Sequence, residues 1–176
     1  GWCKSNDCAW GSGSAYAQLI GKQLMAEVGL SNTVNIPYRG TAPMMTDVLG
    51  RHIAMAVPAV TSSLGQIKGG AFRPLAVGST ERFDQLPNVP TLAELKYPVQ
   101  GETWYGLLVA KKTPEPVFER IVDAIKAASA DEGLQAQIRA EGGKPVFNAP
   151  DVFQREVEQE SKQLNTLLDK YWSLQD

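Results

Sequence analysis

The stretch PYRGTAP, Pro37 to Pro43, sets a phenol, a guanidinium, a glycine amide and a hydroxyl on consecutive residues, Tyr38, Arg39, Gly40 and Thr41. An apolar run, Val34 to Ile36, precedes it and a helix-like pattern follows. A turn from a buried strand into a helix exposes backbone N–H groups with partial positive charge, which suit a carboxylate or phosphate. Arg39 can take a carboxylate through two parallel hydrogen bonds. Gly40 lets the backbone come close to a ligand, and the hydroxyls of Tyr38 and Thr41 add donors. The plainer reading puts Arg39 on the surface and packs Tyr38 at a strand end.

Two more turns have related chemistry. Gly11-Ser12-Gly13-Ser14 precedes a helical pattern, so Ser12, Gly13 and Ser14 are candidate ligand residues; the competing reading is a flexible loop with an ordinary serine cap. It lacks the glycine-lysine-serine/threonine ending of a phosphate loop, and Tyr16 stands where the dinucleotide fingerprint has its third glycine. Thr61 and Ser62, in VTSSLG, are weaker candidates that helix capping alone explains. No catalytic residue is assigned. His52 is the single histidine, and neither a nucleophile elbow nor paired carboxylates at turns appear. No metal site and no cofactor are expected, since His52 lies far in sequence from Cys3 and Cys8. Those two cysteines read as a local disulfide or as two free thiols.

The elements that must position these turns alternate along the chain. Strands are expected at Asp7 to Trp10, Val34 to Ile36, Ile53 to Val57, Arg73 to Val77, Trp104 to Val109 and Pro145 to Phe147. Helices are expected at Ala15 to Val28 and, with Thr41 as cap, to Leu49. Others start at Thr61 or Ser62, at Thr91, at Thr113-Pro114 and at Asn148, with Leu134 to Ala140 helical between the last two. Val117, Ile121, Val122 and Ile125 form the buried stripe expected of the helix after Pro114. Strand–helix alternation predicts an α/β fold with a mostly parallel sheet flanked by helices. Ligands of such sheets sit beyond the carboxyl ends of the strands.

Composition narrows the functions. The chain has 176 residues, 43% hydrophobic and 20% charged, with net charge −2. That is a globular composition. No basic run supports nucleic-acid binding, and no apolar run reaches membrane-spanning length.

Four motifs in order resemble the Bug-type solute-binding proteins of tripartite tricarboxylate transporters. They are GSGSAYAQLIGKQL, VNIPYRGTAPMMTDVLG, SSLGQIKGGAFRPLAVGSTERFDQLPNVPTLAEL and ETWYGLLVAKKTPEPVFERIVDAI. The resemblance implies a periplasmic-binding-protein-like fold. It implies a periplasmic receptor, not an enzyme, whose two lobes close on a small carboxylate and deliver it to membrane transporter subunits. Residues 7–104 resemble the second ligand-binding lobe, and 105–176 the segment that completes the first. Carried over by motif, Ser12, Ser14, Tyr38, Arg39, Gly40 and Thr41 are second-lobe ligand residues, with Thr61 and Ser62 weaker. The family's N-terminal portion, which builds most of the first lobe, has no counterpart in the sequence. Ala54 and Pro58 stand where the family often has acidic residues, and Ala17 or Gln18 where it often has histidine. An incomplete first lobe leaves apolar helical stripes to cover, so a homodimer packed through its C-terminal helices is expected. The alternative function is a truncated relative acting as an oligomerising or interaction domain.

Overall fold

The computed structural model describes Cys3 and residues 8–172 of the chain. Cys3 and Cys8 form a disulfide, with Cα atoms 5.2 Å apart. The chain forms two compact units, one comprising residues 1–102 and 164–176, the other 103–163.

The first unit is built on three parallel strands, β1 (Ala9–Ser12), β2 (Val34–Pro37) and β3 (Met55–Val57), in the order β2-β1-β3. Each strand leads into a helix: α1 (Ala15–Glu27), α2 (Thr41–Leu49) and α3 (Val60–Lys68). The mixed α/β architecture with a parallel sheet therefore stands as expected. Ser12 pairs with Pro37 on one side and Val57 on the other, so all three strands end at one edge. Pro37 has no N–H to give, which suits the end of an outer strand.

The first strand differs from the sequence expectation. It runs to Ser12 rather than stopping at Trp10, because β2 and β3 both pair with its last residues; Asp7 lies outside the described residues. Three apolar clusters hold the unit. Met44, Met45 and Ile53 pack with Ile36, Tyr38 and Ala56. Ile20, Leu92 and Val99 pack with Tyr16, Leu24 and Leu167, which brings in the end of the last helix. Leu64, Val77, Leu86 and Val89 form the third. Arg73 to Val77 is not a strand; it contributes one parallel bridge, Val77 to Thr91. Thr91 does act as a cap: its hydroxyl accepts from Glu94 N–H, and the Glu94 carboxylate accepts from Thr91 N–H. That reciprocal box closes a turn, and no helix follows.

The second unit holds α4 (Glu115–Ser129), α5 (Glu132–Ala140) and most of α6 (Pro150–Tyr171). The cap of α4 is Pro114, one residue after Thr113, and Asp131 caps α5 through Leu134 N–H at 2.8 Å. The expected buried stripe of α4 is not buried: Val117 is exposed, Ile121, Val122 and Ile125 are partly covered, and none of the three helices has a fully buried residue. Trp104 to Val109 and Pro145 to Phe147 are not strands. Strand propensity cannot form a strand without a neighbour to complete its hydrogen bonds. Trp104 packs edge-on against Phe153 at 5.0 Å and donates its indole N–H to Glu160 at 2.5 Å. Asn148 lies before α6, its amide reaching Glu156 at 2.6 Å. No described helix is long and apolar enough to cross a membrane.

Candidate functional site

The three turns meet at the carboxyl edge of the sheet. Adjacent strands lie about 4.8 Å apart, so the starts of α1, α2 and α3 are close neighbours. The first two turns touch. A Cβ on Gly13 would lie 3.1 Å from Gly40 C and 3.2 Å from Thr41 N, so a side chain there would press the two backbones apart by a few tenths of an ångström. Gly40 itself has φ 100°, a conformation that disfavours any other residue.

The helix starts differ in how their N–H groups are satisfied. Ser14 caps α1, accepting from Ala17 N–H at 3.1 Å. Gly40 is the cap residue of α2 and offers no side chain; Thr41, expected as the cap, is the first helical residue. Pro43 has no N–H, which leaves the Thr41 and Ala42 amides as the donors of that first turn. Ala59 caps α3, again without a side-chain bond. Thr61 and Ser62 are not caps either. A cap needs extended backbone ahead of the helix, and Ala59 occupies it with φ −68° and ψ 141°. Both residues lie inside the first turn, where the Ser62 hydroxyl donates back to Ala59 O at 2.8 Å.

The candidate side chains fall into two groups. Ser12 and Tyr38 are engaged within the fold. Ser12 is buried and shares hydrogen bonds with Asn35 on β2, at 3.2–3.3 Å. Tyr38 donates its hydroxyl to Asp47 Oδ2 at 2.6 Å. That bond raises the phenol pKa and lowers the Asp47 pKa. The other Asp47 oxygen lies 3.2 Å from His52 Nδ1, which donates when that nitrogen carries its proton. Arg39, by contrast, is exposed and makes no ion pair or hydrogen bond within the described residues.

Sequence reasoning missed Asn35, Asp47 and the pairing of His52. No local signal marks them: Asn35 and Asp47 read as ordinary strand and helix residues until the fold sets Ser12 beside the first and Tyr38 and His52 beside the second. A separate open groove of about 350 Å³ in the second unit is lined by Phe118, Glu119, Val122, Asp123 and Pro150. Its two carboxylates make it unsuited to an anion, so the sheet edge is the better candidate.

The sequence matches the family described as "Tripartite tricarboxylate transporter family receptor" over residues 3–171. The chain belongs to this family. A UPF0065 protein of Pseudomonas sp. (strain P51) is 35% identical over 150 residues, covering 81% of this chain and 44% of its own length. Protein BugT of Bordetella pertussis is 32% identical over 117 residues, covering 66% of this chain and 36% of its own. Among solved structures, "Structure of periplasmic binding protein BugD" aligns with TM-score 0.81 at 30% identity over 96% of this chain and 58% of that one. "Structure of a periplasmic transporter" aligns with TM-score 0.87 at 29% identity and the same two coverages. "R. palustris Rpa4515 with adipate" shares the fold, with TM-score 0.85 at 21% identity. The chain thus spans about two fifths of the length of these two curated relatives and under three fifths of these solved chains.

Proposed function

We propose that residues 7–104 form one ligand-binding lobe of an extracytoplasmic receptor for a small carboxylate, and that 105–176 belong to its other lobe. The lobe holds its ligand without catalysis and presents it to membrane transporter subunits. The observation that carries this reading is the exposed Arg39 guanidinium, without a partner among the described residues, beside a helix start with no side-chain cap. A carboxylate would meet the guanidinium together with the Thr41 and Ala42 amides. Ser14, Gly13, Gly40 and Thr41 line the joined turns, and Thr61 and Ser62 stand at the neighbouring helix start. Ser12 and Tyr38 act from behind by holding their strands and turns. Family membership supports the receptor class, and the same fold in a protein solved with adipate makes a dicarboxylate a sensible first probe.

Backbone NMR with adipate, succinate and citrate tests the site. The reading predicts saturable shifts at Gly13, Gly40, Thr41 and Ala42. Shifts confined to the groove of α4 and α6, or none with any of the three, would refute it.

One observation favours a second reading, self-association. Tyr105, Leu107 and Leu108 are 86%, 73% and 83% exposed. Among the described residues no main-chain group between Thr103 and Val109 bonds to another main-chain group. An exposed apolar segment without such bonds invites pairing, and a homodimer formed through it and the neighbouring helices is the form we propose. Sedimentation that shows only monomer at high concentration would exclude it.

A further inference from the structure

We propose that Asp47 is a positioning residue for the anion-binding turn, fixing Arg39 and Gly40 by holding the Tyr38 hydroxyl while His52 braces its other carboxylate oxygen. This inference rests on the carboxylate-binding reading of the same turn.

Asp47 is an awkward residue for its place. It sits in the last turn of α2, where the negative end of the helix dipole disfavours a carboxylate. Two contacts offset that: Tyr38 at 2.6 Å and His52 at 3.2 Å, one to each oxygen. They come from opposite ends of the helix. Tyr38 precedes the cap Gly40, and His52 follows the helix. The route to His52 is itself constrained. Arg51 adopts φ 60°, unusual for a residue with a side chain. The turn closes with Arg51 N–H on Val48 O at 3.1 Å and His52 N–H on Asp47 O at 2.9 Å. A helix end that places a non-glycine residue in this conformation brings the imidazole back to the carboxylate.

At the other end, Tyr38 N–H donates to Ser12 O at 2.8 Å, tying the residue to β1. Its ring joins the Met44–Met45–Ile53 cluster. Beyond Tyr38 the chain turns through Gly40 at φ 100°, and the Arg39 side chain lies between with no hydrogen bond or ion pair among the described residues. The hydroxyl–carboxylate bond thus completes, with the N–H bond and the packed ring, the anchoring of the residue immediately before the guanidinium. It also assigns Tyr38 an indirect part in binding, since its hydrogen is directed at Asp47.

The test compares Tyr38→Phe, Asp47→Ala and Asp47→Asn with the parent chain by two readouts. The first needs no ligand. Ring-¹³C titration of Tyr38 in the parent should show a midpoint above the ordinary tyrosine value that falls back in Asp47→Ala. ¹⁵N order parameters at Arg39 and Gly40 should fall from rigid values near 0.85 to below about 0.6 in Tyr38→Phe and Asp47→Ala. Asp47→Asn, which still accepts from the phenol, should restore them. The second readout is adipate affinity by calorimetry, expected to weaken about tenfold in Tyr38→Phe and in Asp47→Ala. The double variant should be no worse than either single change, because both break one bond. Additive losses would mean that Tyr38 touches the ligand itself and would overturn the proposal. So would unchanged order parameters in Tyr38→Phe, a variant that keeps the ring packing and decides alone if Asp47→Ala does not fold. If the parent fails to bind adipate, the carboxylate reading fails for that probe, and the order parameters still decide the positioning role.

Discussion

Gly40 and Arg51, on either side of α2, both have positive φ, yet only one of them is glycine. At Arg51 the strain can be relieved. Arg51→Gly should stabilise the chain by about 0.5–1 kcal/mol, the relief of the left-handed backbone less the entropy a glycine adds to the unfolded chain; equilibrium denaturation measures it. A second prediction concerns acid. Asp47 and Glu94 have folded-state pKa values below the ordinary carboxylate range, Asp47 chiefly through Tyr38 and Glu94 chiefly through Arg82. Each contributes stability that is present above about pH 4 and is lost as the pH falls through its depressed folded value. Denaturation between about pH 5 and 2 should show this fall, and it should flatten in Asp47→Asn and Glu94→Gln. A fall of equal steepness in both variants would assign acid sensitivity to other groups. Arg39 and Gly40 were legible as candidates because their residue types fit a turn. The clamp on Tyr38 was not, because Asp47 reads as an ordinary helix residue until the fold brings Tyr38 and His52 to it.

Elements with local signals formed close to where the sequence put them. The helices α1, α2 and α3 have an apolar pattern and a glycine at or just beyond the end, signals that act within a few residues. Segments that needed a distant partner did not form. Arg73 to Val77, Trp104 to Val109 and Pro145 to Phe147 have strand-like composition, but none lies in a sheet among the described residues. The stripe of α4 likewise has the right spacing and lacks a covering surface. These unsatisfied segments give the self-association reading its prediction. Leu108→Lys should shift a concentration-dependent dimer toward monomer in sedimentation, while a surface change such as Lys144→Gln should not. If both variants sediment like the parent, the exposed segment is not the contact.

At the scale of the whole molecule, one parallel sheet gathers three helix starts at a single edge, and two of those helices begin without a side-chain cap. Membership of the receptor family, and a fold shared with BugD over 96% of this chain and 58% of that one, support the proposal that this edge binds a ligand. If those helix starts hold the ligand together with Arg39, removing the guanidinium lowers affinity, so affinity is the quantity to measure. The most direct measurement is thermal unfolding across a series of mono-, di- and tricarboxylates, with Arg39→Ala alongside. A carboxylate at a hundred times its dissociation constant adds about 2.7 kcal/mol and should raise the melting temperature by about 5–10 °C. The account predicts such a rise for one class of carboxylate and its loss in Arg39→Ala. A flat series at millimolar concentration, or an equal rise in the variant, would contradict it.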